Sequence, residues 1–384
     1  MTKRDSFPDV LRGFALFGIA LVNIPYLSLD TINAAEGADL TQPSNAVAAF
    51  AVMALFQAKF YLLFSFLFGY SAHYVLKDDK SNRPRWVARS IGLVILGVIH
   101  FTFLFHGDIL FVYGLFGLIL TALYFRSEKA IRGWAKGIYI AISVLFAALS
   151  LLTYVGEMAL SAQGKSLPDE TFKSKLDSAL QSGTFLETVG PRLELWLFAA
   201  PNGFLLQGPL VFAAFLVGVL VARKNGLVTP NAALMKKLLV LGLTVGLPVQ
   251  LLSAYLFVVN STGADSIGLY LVSLSLNFLS APLLSAAYVV LLWRISEKLK
   301  LGLLASAGRM SLTVYLSQSV VFSTLFSAWG FGLFAKLGVA EVTLIAALTW
   351  LLLAAVSMGY LKFRNKGPME SLLSGFSKLF ERKQ

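Results

Sequence analysis

Two histidines and one aspartate crowd a single corner of the chain: His100, then His106, Gly107 and Asp108. Imidazole is the usual proton carrier near neutral pH, and a nearby carboxylate can hold it as an oriented base. His100 lies inside an apolar run and is the better base; His106 lies in the polar turn that follows and should be the more exposed. The same segment also reads as hairpin chemistry, with Asp108 capping the next helix and His100 filling a helix interface. The third histidine, His73, closes another apolar run and reads as an interfacial polar residue.

A second set opens the chain. Asp9 and Arg12 are three residues apart, and Arg12 and Asn23 are eleven apart, close to three helical turns, so one helix face carries all three. At 1.5 Å per residue, Arg12 and Asn23 are separated by about 16 Å along the axis, which puts one near each membrane surface. Asp9 as a helix cap and Arg12 as a membrane anchor is the simpler alternative. Lys59 stands inside an apolar run, where a charge costs about 2.5 to 3.5 kcal/mol and must therefore face protein or water. Near the other end, Gly308 and Arg309 precede a run in which Ser311, Tyr315 and Gln318 share a face. Backbone N–H groups at such a helix start favour phosphate. Arg309 could equally anchor to lipid phosphates. The sequence contains no Walker loop, Rossmann glycine fingerprint, HExxH or GxSxG.

The elements that position these residues are membrane helices. The chain of 384 residues is 57% hydrophobic and 14% charged with a mean hydropathy of +0.74, which excludes an ordinary soluble enzyme. With no cysteine, disulfides, thiolate metal sites and cysteine nucleophiles are excluded as well. Apolar runs predict ten spans, near 10–29, 50–76, 87–105, 109–125, 135–156, 195–222, 238–259, 267–293, 311–334 and 342–361. With the N-terminus inside, only Lys165, Lys173, Lys175, Arg192 and Lys336 of the 32 Lys and Arg fall outside. Lys59 lies within a span and the other 26 fall inside, so the expected topology is N-in and C-in. The net charge of +12 thus expresses topology, and no nucleic-acid partner is expected. No midplane carboxylate is present, which weakens a proton-coupled transporter.

The first run is too long for a cleaved signal and reads as the first span. Outside, residues 157–193 place Phe172, Leu176, Ala179 and Leu180 at helical spacing. A helix lying on the outer leaflet is the preferred reading, and a lid is the alternative. Pro201, Gly203, Gly208 and Pro209 interrupt the sixth span, where either a broken cavity wall or a plain kink would serve.

Taken in order, these residues resemble the YeiB-like family with its DUF418 domain. The resemblance rests on Asp9-Val-Leu-Arg12-Gly13 through Asn23 and on Lys59 through Gly69. It continues with Gly97-Val-Ile-His100, then Gly107-Asp108 and Tyr113. It ends with Gly308-Arg309 through Thr313, Tyr315, Gln318 and Ser319, and with Gly367-Pro368-Met-Glu370. Ser371 departs from it, since many members carry tryptophan there. The first half is in turn similar to transmembrane acyltransferases, the acyltransferase-3 family and the lysosomal heparan glucosaminide acetyltransferase, which share an Asp-x-x-Arg opening. Asn23 stands where acyltransferase-3 proteins carry histidine and the heparan relatives carry asparagine. The heparan enzyme's catalytic histidine lies in its first loop, and residues 30–45 contain none, leaving His100 and His106 as candidates on that side.

The resemblance implies an all-α polytopic membrane protein of the bacterial inner membrane. It comprises an acyltransferase-like half (1–160), an extracytoplasmic segment (161–193) and a DUF418-type half (194–384). Its expected chemistry is acyl transfer from a cytoplasmic acyl-CoA to a sugar, lipid or small-molecule acceptor at the outer side. His100 or His106 would be the base and Asp108 its orienter. Asp9, Arg12, Asn23, Lys59, Arg309, Tyr315 and Gln318 would bind donor or substrate, and no metal is expected. Membrane lipids are the expected partners, with a homo-oligomer left open. The alternatives are an exporter of a small amphipathic solute and a non-catalytic membrane scaffold.

Overall fold

A computed structural model describes residues 6–165 and 174–380. Those residues are helical and contain no strand. In a bilayer every backbone N–H and C=O must be satisfied within the chain, so apolar runs of this length have only the helix available.

Numbered along the chain, the first helices are α1 (Phe7–Asn23), α2 (Pro25–Ser28), α3 (Pro43–Leu55), α4 (Lys59–Leu76), α5 (Arg83–Phe103) and α6 (Leu110–Tyr124). There follow α7 (Glu128–Ser161), α8 (Lys175–Ser182), α9 (Val189–Asn202), α10 (Gly208–Arg223), α11 (Ala232–Leu241) and α12 (Leu247–Val259). The last are α13 (Ile267–Lys298), α14 (Gly302–Arg309), α15 (Ser311–Phe326), α16 (Val339–Tyr360) and α17 (Pro368–Lys378). Seven helical runs are long and apolar enough to cross a membrane: Pro43–Leu76, Lys80–Phe103, Glu128–Ser161, Leu186–Arg223, Ala232–Ala264, Ile267–Lys298 and Val339–Tyr360. The other three expected spans are shorter, with 17 residues in α1, 15 in α6 and 16 in α15.

The main core gathers Leu11, Leu16, Phe60, Leu67, Tyr113, Phe215, Phe322 and Trp350 around α1, α4, α6, α10, α15 and α16. By contrast α7 has only 17% of its apolar window buried, and Val144, Leu151 and Leu152 point away from the protein. It forms the lipid-facing edge of the bundle.

Three segments add to the sequence reading. Span two is discontinuous: α3 ends at Leu55 and α4 restarts at Lys59, with Ala58 at φ 65°. No proline or glycine announces that break. Span six, for which a broken wall and a plain kink both stood open, runs as one helical stretch in which Gly203–Gln207 form a π-turn between α9 and α10. This is the kink reading, because a π-turn widens the helix around Pro201 and Pro209 without freeing the backbone. The segment that follows α7, described again from residue 174, packs on the protein through Leu176 and Leu180, which are buried. Asp177 accepts from Thr31 N–H (3.2 Å) and Thr31 Oγ1 (2.6 Å), and the Leu180 carbonyl accepts from Ala328 N–H at 2.7 Å. Phe172 of the expected amphipathic stripe, and Lys3, Arg4 and Lys173, lie outside the described residues.

Candidate functional site

The hairpin between α5 and α6 builds the first half of the site. A Cβ on Gly97 would overlap the backbone of Phe111, so the two helices meet backbone to backbone one turn below His100. That approach brings Asp108 over the end of α5. His100 (1% exposed) and Asp108 (7%) are buried, and His100 Nδ1 lies 2.7 Å from Asp108 Oδ1. Asp108 Oδ2 accepts from the Phe111 N–H at 2.7 Å. Orientation of the histidine and capping of α6 are therefore done by one carboxylate, so the two sequence readings coexist. The carboxylate engages Nδ1, so Nε2 is the ring nitrogen turned away from Asp108. Nε2 is buried with no hydrogen-bond partner among the described residues. The Tyr315 ring lies 5.1 Å from the imidazole, centroid to centroid.

His106 does not occupy the exposed position expected of it. It is 9% exposed, with Phe105 at 5.2 Å and Tyr26 at 6.5 Å between ring centroids. The turn is roofed by the first outer loop through Thr31, and Arg192 reaches it from α9. Burial, and then the Arg192 charge, lower the imidazole to about 3, which makes His106 a poor proton acceptor. Arg192, read from the sequence only as a loop base, donates to the Thr102 and Phe103 carbonyls (3.3 and 3.2 Å) and to Thr188 Oγ1 (3.1 Å), closing the end of α5. Glu36, in the loop between α2 and α3, is half-buried and accepts from Asn260 Nδ2 at 3.5 Å. Burial raises its carboxyl to about 7, opposed by hydrogen bonds from Tyr270 and Asn260.

The second half lies at the opposite face, where the described ends of the chain meet. Asp9 is buried and pairs with Arg12 at 2.5 Å, while Asn23 ends α1 at the far side, half-buried. A Cβ on Gly308 would overlap the Asp9 carbonyl oxygen, and one on Gly13 the Leu304 carbonyl, so α14 crosses α1 at contact distance. The helix start expected to hold phosphate is already filled. Glu370 Oε1 accepts from Leu312 N–H (2.7 Å) and Thr313 N–H (3.1 Å), and Oε2 accepts from Thr313 Oγ1 (2.6 Å). This corrects the expectation that free N–H groups of α15 take part in a donor site. Arg309 remains exposed and donates to the Asn365 carbonyl at 3.1 Å. Arg89, on α5, is within electrostatic reach of Arg12, Glu370 and Arg85, and its Nε is buried without a hydrogen-bond partner. One turn of α15 spans the two halves: Tyr315 faces His100, and Gln318 Nε2 donates to the Leu16 carbonyl of α1 at 3.3 Å.

Lys59 is fully buried and faces protein, as the cost of lipid exposure requires. Its Nζ donates to the Met53 carbonyl at the end of α3 (2.8 Å) and to Gln250 Oε1. Asn277 Nδ2 donates to the same two acceptors, at 3.0 and 2.8 Å, and its Oδ1 is buried without a partner. The helix break thus presents carbonyls that the ammonium and amides satisfy. Gln250 and Asn277 are single amides in apolar runs, the one signal that could have flagged them.

Helices of this length and apolarity around such a buried polar interior define a polytopic membrane protein. Residues 221–376 match the family described as "Protein of unknown function (DUF418)". The chain is 28% identical over 398 residues to the uncharacterized protein YxaH of Bacillus subtilis (strain 168), covering 96% of this chain and 93% of that one. It is 28% identical over 392 residues to the uncharacterized protein YeiB of Escherichia coli (strain K12), covering 96% and 95%. An uncharacterized 39.9 kDa protein in the amylase 3'region of Bacillus acidopullulyticus is 32% identical over 155 residues, 38% of this chain and 42% of its own. No solved structure matches. The DUF418 match thus covers the second part of the chain, and the likeness to YxaH and YeiB extends over nearly all of it.

Proposed function

We propose that the protein is a ten-span acyltransferase of the bacterial inner membrane, with both termini cytoplasmic. It moves an acyl group from a cytoplasmic acyl-CoA to a hydroxyl or amine acceptor at the outer side. The observation that carries this reading is the buried His100–Asp108 pair with its unpartnered Nε2. In the reaction, Nε2 takes the proton of the acceptor O–H or N–H as that atom attacks the thioester carbonyl. The C–S bond breaks, and the leaving thiolate receives the proton to give free CoA. Asp108 orients the imidazole, and α15 links it to α1 through Tyr315 beside His100 and Gln318 on the Leu16 carbonyl. Arg12, Arg309 and the newly found Arg89 supply positive charge for the donor phosphates. The Asp9-x-x-Arg12 opening shared with transmembrane acyltransferases supports the same reading.

Because the chain has no cysteine, a thiol reagent reports released CoA with no protein background. Native mass spectrometry of the purified protein should show co-purifying acyl-CoA or CoA. Arg309→Gln should weaken CoA binding in calorimetry while leaving thermal stability unchanged; unaltered affinity removes Arg309 from the donor set.

A second reading, an exporter of a small amphipathic solute, is favoured by a different observation. Discontinuous helices with polar groups at mid-span recur in transporters, and the α3–α4 break with Lys59, Gln250 and Asn277 has that form. Solute movement in vesicles without thiol release would favour it.

A further inference from the structure

The turn joining α16 to α17 encloses a cleft of about 360 Å³ lined by Tyr360, Arg364, Asn365, Lys366, Pro368 and Ser371. Arg364 and Lys366 are exposed, and neither makes an ion pair among the described residues. Arg309 is drawn to the same corner by its bond to the Asn365 carbonyl. The one acid in the lining segment's neighbourhood of sequence, Glu370, is turned away, with both oxygens engaged at the start of α15. Two cations therefore line the cleft and Arg309 lies at its edge, with no carboxylate among the described lining residues to balance them.

The surroundings of the cleft are apolar and uncovered. Phe363 is 86% exposed in the turn, and Leu372, Leu379 and Phe380 are 59%, 79% and 51% exposed along and beyond α17. The opposite side of α17 buries Leu373 against Gly92 of α5, so the helix is held flat against the bundle and shows a second apolar side outward. A helix of this kind at the end of a membrane span lies in the headgroup region with its apolar side in the acyl layer.

We infer that this cleft is a binding site for the phosphate of an anionic membrane phospholipid, with the acyl chains running along Phe363 and Leu372. A soluble phosphate would use the cations and leave the apolar rim uncovered. A zwitterionic lipid would bring an ammonium group toward three like charges. This inference does not rest on acyl transfer: it shares Arg309 with the proposed donor set, but the two cations that line the cleft, Arg364 and Lys366, lie outside that set.

The test uses the full-length protein in nanodiscs of phosphatidylcholine containing a minor fraction of phosphatidylglycerol, with retained lipids counted by native mass spectrometry. The wild type should retain phosphatidylglycerol in preference to phosphatidylcholine. One basic residue near an anionic surface is worth about fivefold in affinity, so Arg364→Ala and Lys366→Ala should each reduce the preference by about that factor. Ser371→Trp removes no charge and should reduce it by filling the cleft. Thermal midpoints in pure phosphatidylcholine control for folding. Equal retention of both lipids by the wild type, or full preference in the double variant Arg364→Ala/Lys366→Ala, would overturn the inference. A third arm adds excess inorganic phosphate: displacement of the lipid at matched ionic strength would make the site one for a soluble anion and overturn the lipid assignment.

Discussion

His100 and His106 are six residues apart, yet their surroundings give them opposite capacities. The Asp108 carboxylate engages one nitrogen of His100 and leaves the other turned away, whereas burial beside Arg192 holds His106 at about 3. His106→Asn should therefore leave turnover within a few-fold of wild type, as thiol release would show. Glu36 gives a pH dependence whose sign can be worked out. Its carboxyl is raised from 4.5 to about 7 in the folded protein, so folding favours the protonated form. The stability this contributes is fully present below about pH 4.5 and is lost as pH rises toward about 7. The thermal midpoint should fall across that window, and Glu36→Gln should flatten the fall. A wild-type midpoint that rises from pH 5 to 7 while the Glu36→Gln midpoint stays level would contradict the assignment.

At the scale of elements, the decisive contacts are close helix crossings and one carboxylate that caps a helix from elsewhere in the chain. Glu370 replaces the missing acceptors at the start of α15 and ties down α17. Glu370→Gln keeps the shape and removes the charge, and should cost about 1 kcal/mol, read as a lowered thermal midpoint and faster hydrogen exchange in α17. Such couplings explain what could be read from sequence and what could not. The Asp9–Arg12 pair and the His100–Asp108 hairpin are local in sequence, and residue spacing alone placed their members together. Glu370 with Thr313, Lys59 with Gln250, and Asn277 with Met53 join residues 57, 191 and 224 positions apart, and periodicity carries no information about which polar faces meet. The break in span two was illegible for another reason: Phe56, Gln57 and Ala58 contain no glycine or proline, and tertiary contacts at Lys59 stabilise a positive φ at Ala58. The burial of His106 was likewise set by a loop and a helix distant in sequence.

For the whole molecule, the described chain ends meet at the face that carries Arg12, Arg89, Arg309, Arg364 and Lys366, while the His100–Asp108 pair lies recessed toward the other side beneath the first outer loop and α8. If the base-rich face is cytoplasmic, a reporter fused after Gln384 is active only as a cytoplasmic enzyme; a periplasmic readout would reverse donor and acceptor sides. The central claim is that His100 is the base of an acyl transfer. The most direct measurement is thiol release from acyl-CoA by His100→Ala in reconstituted vesicles, beside calorimetric CoA binding by the same folded variant. Loss of a general base predicts a fall in turnover of about 10²–10⁴-fold with donor affinity unchanged. Turnover equal to wild type in the variant would contradict the account.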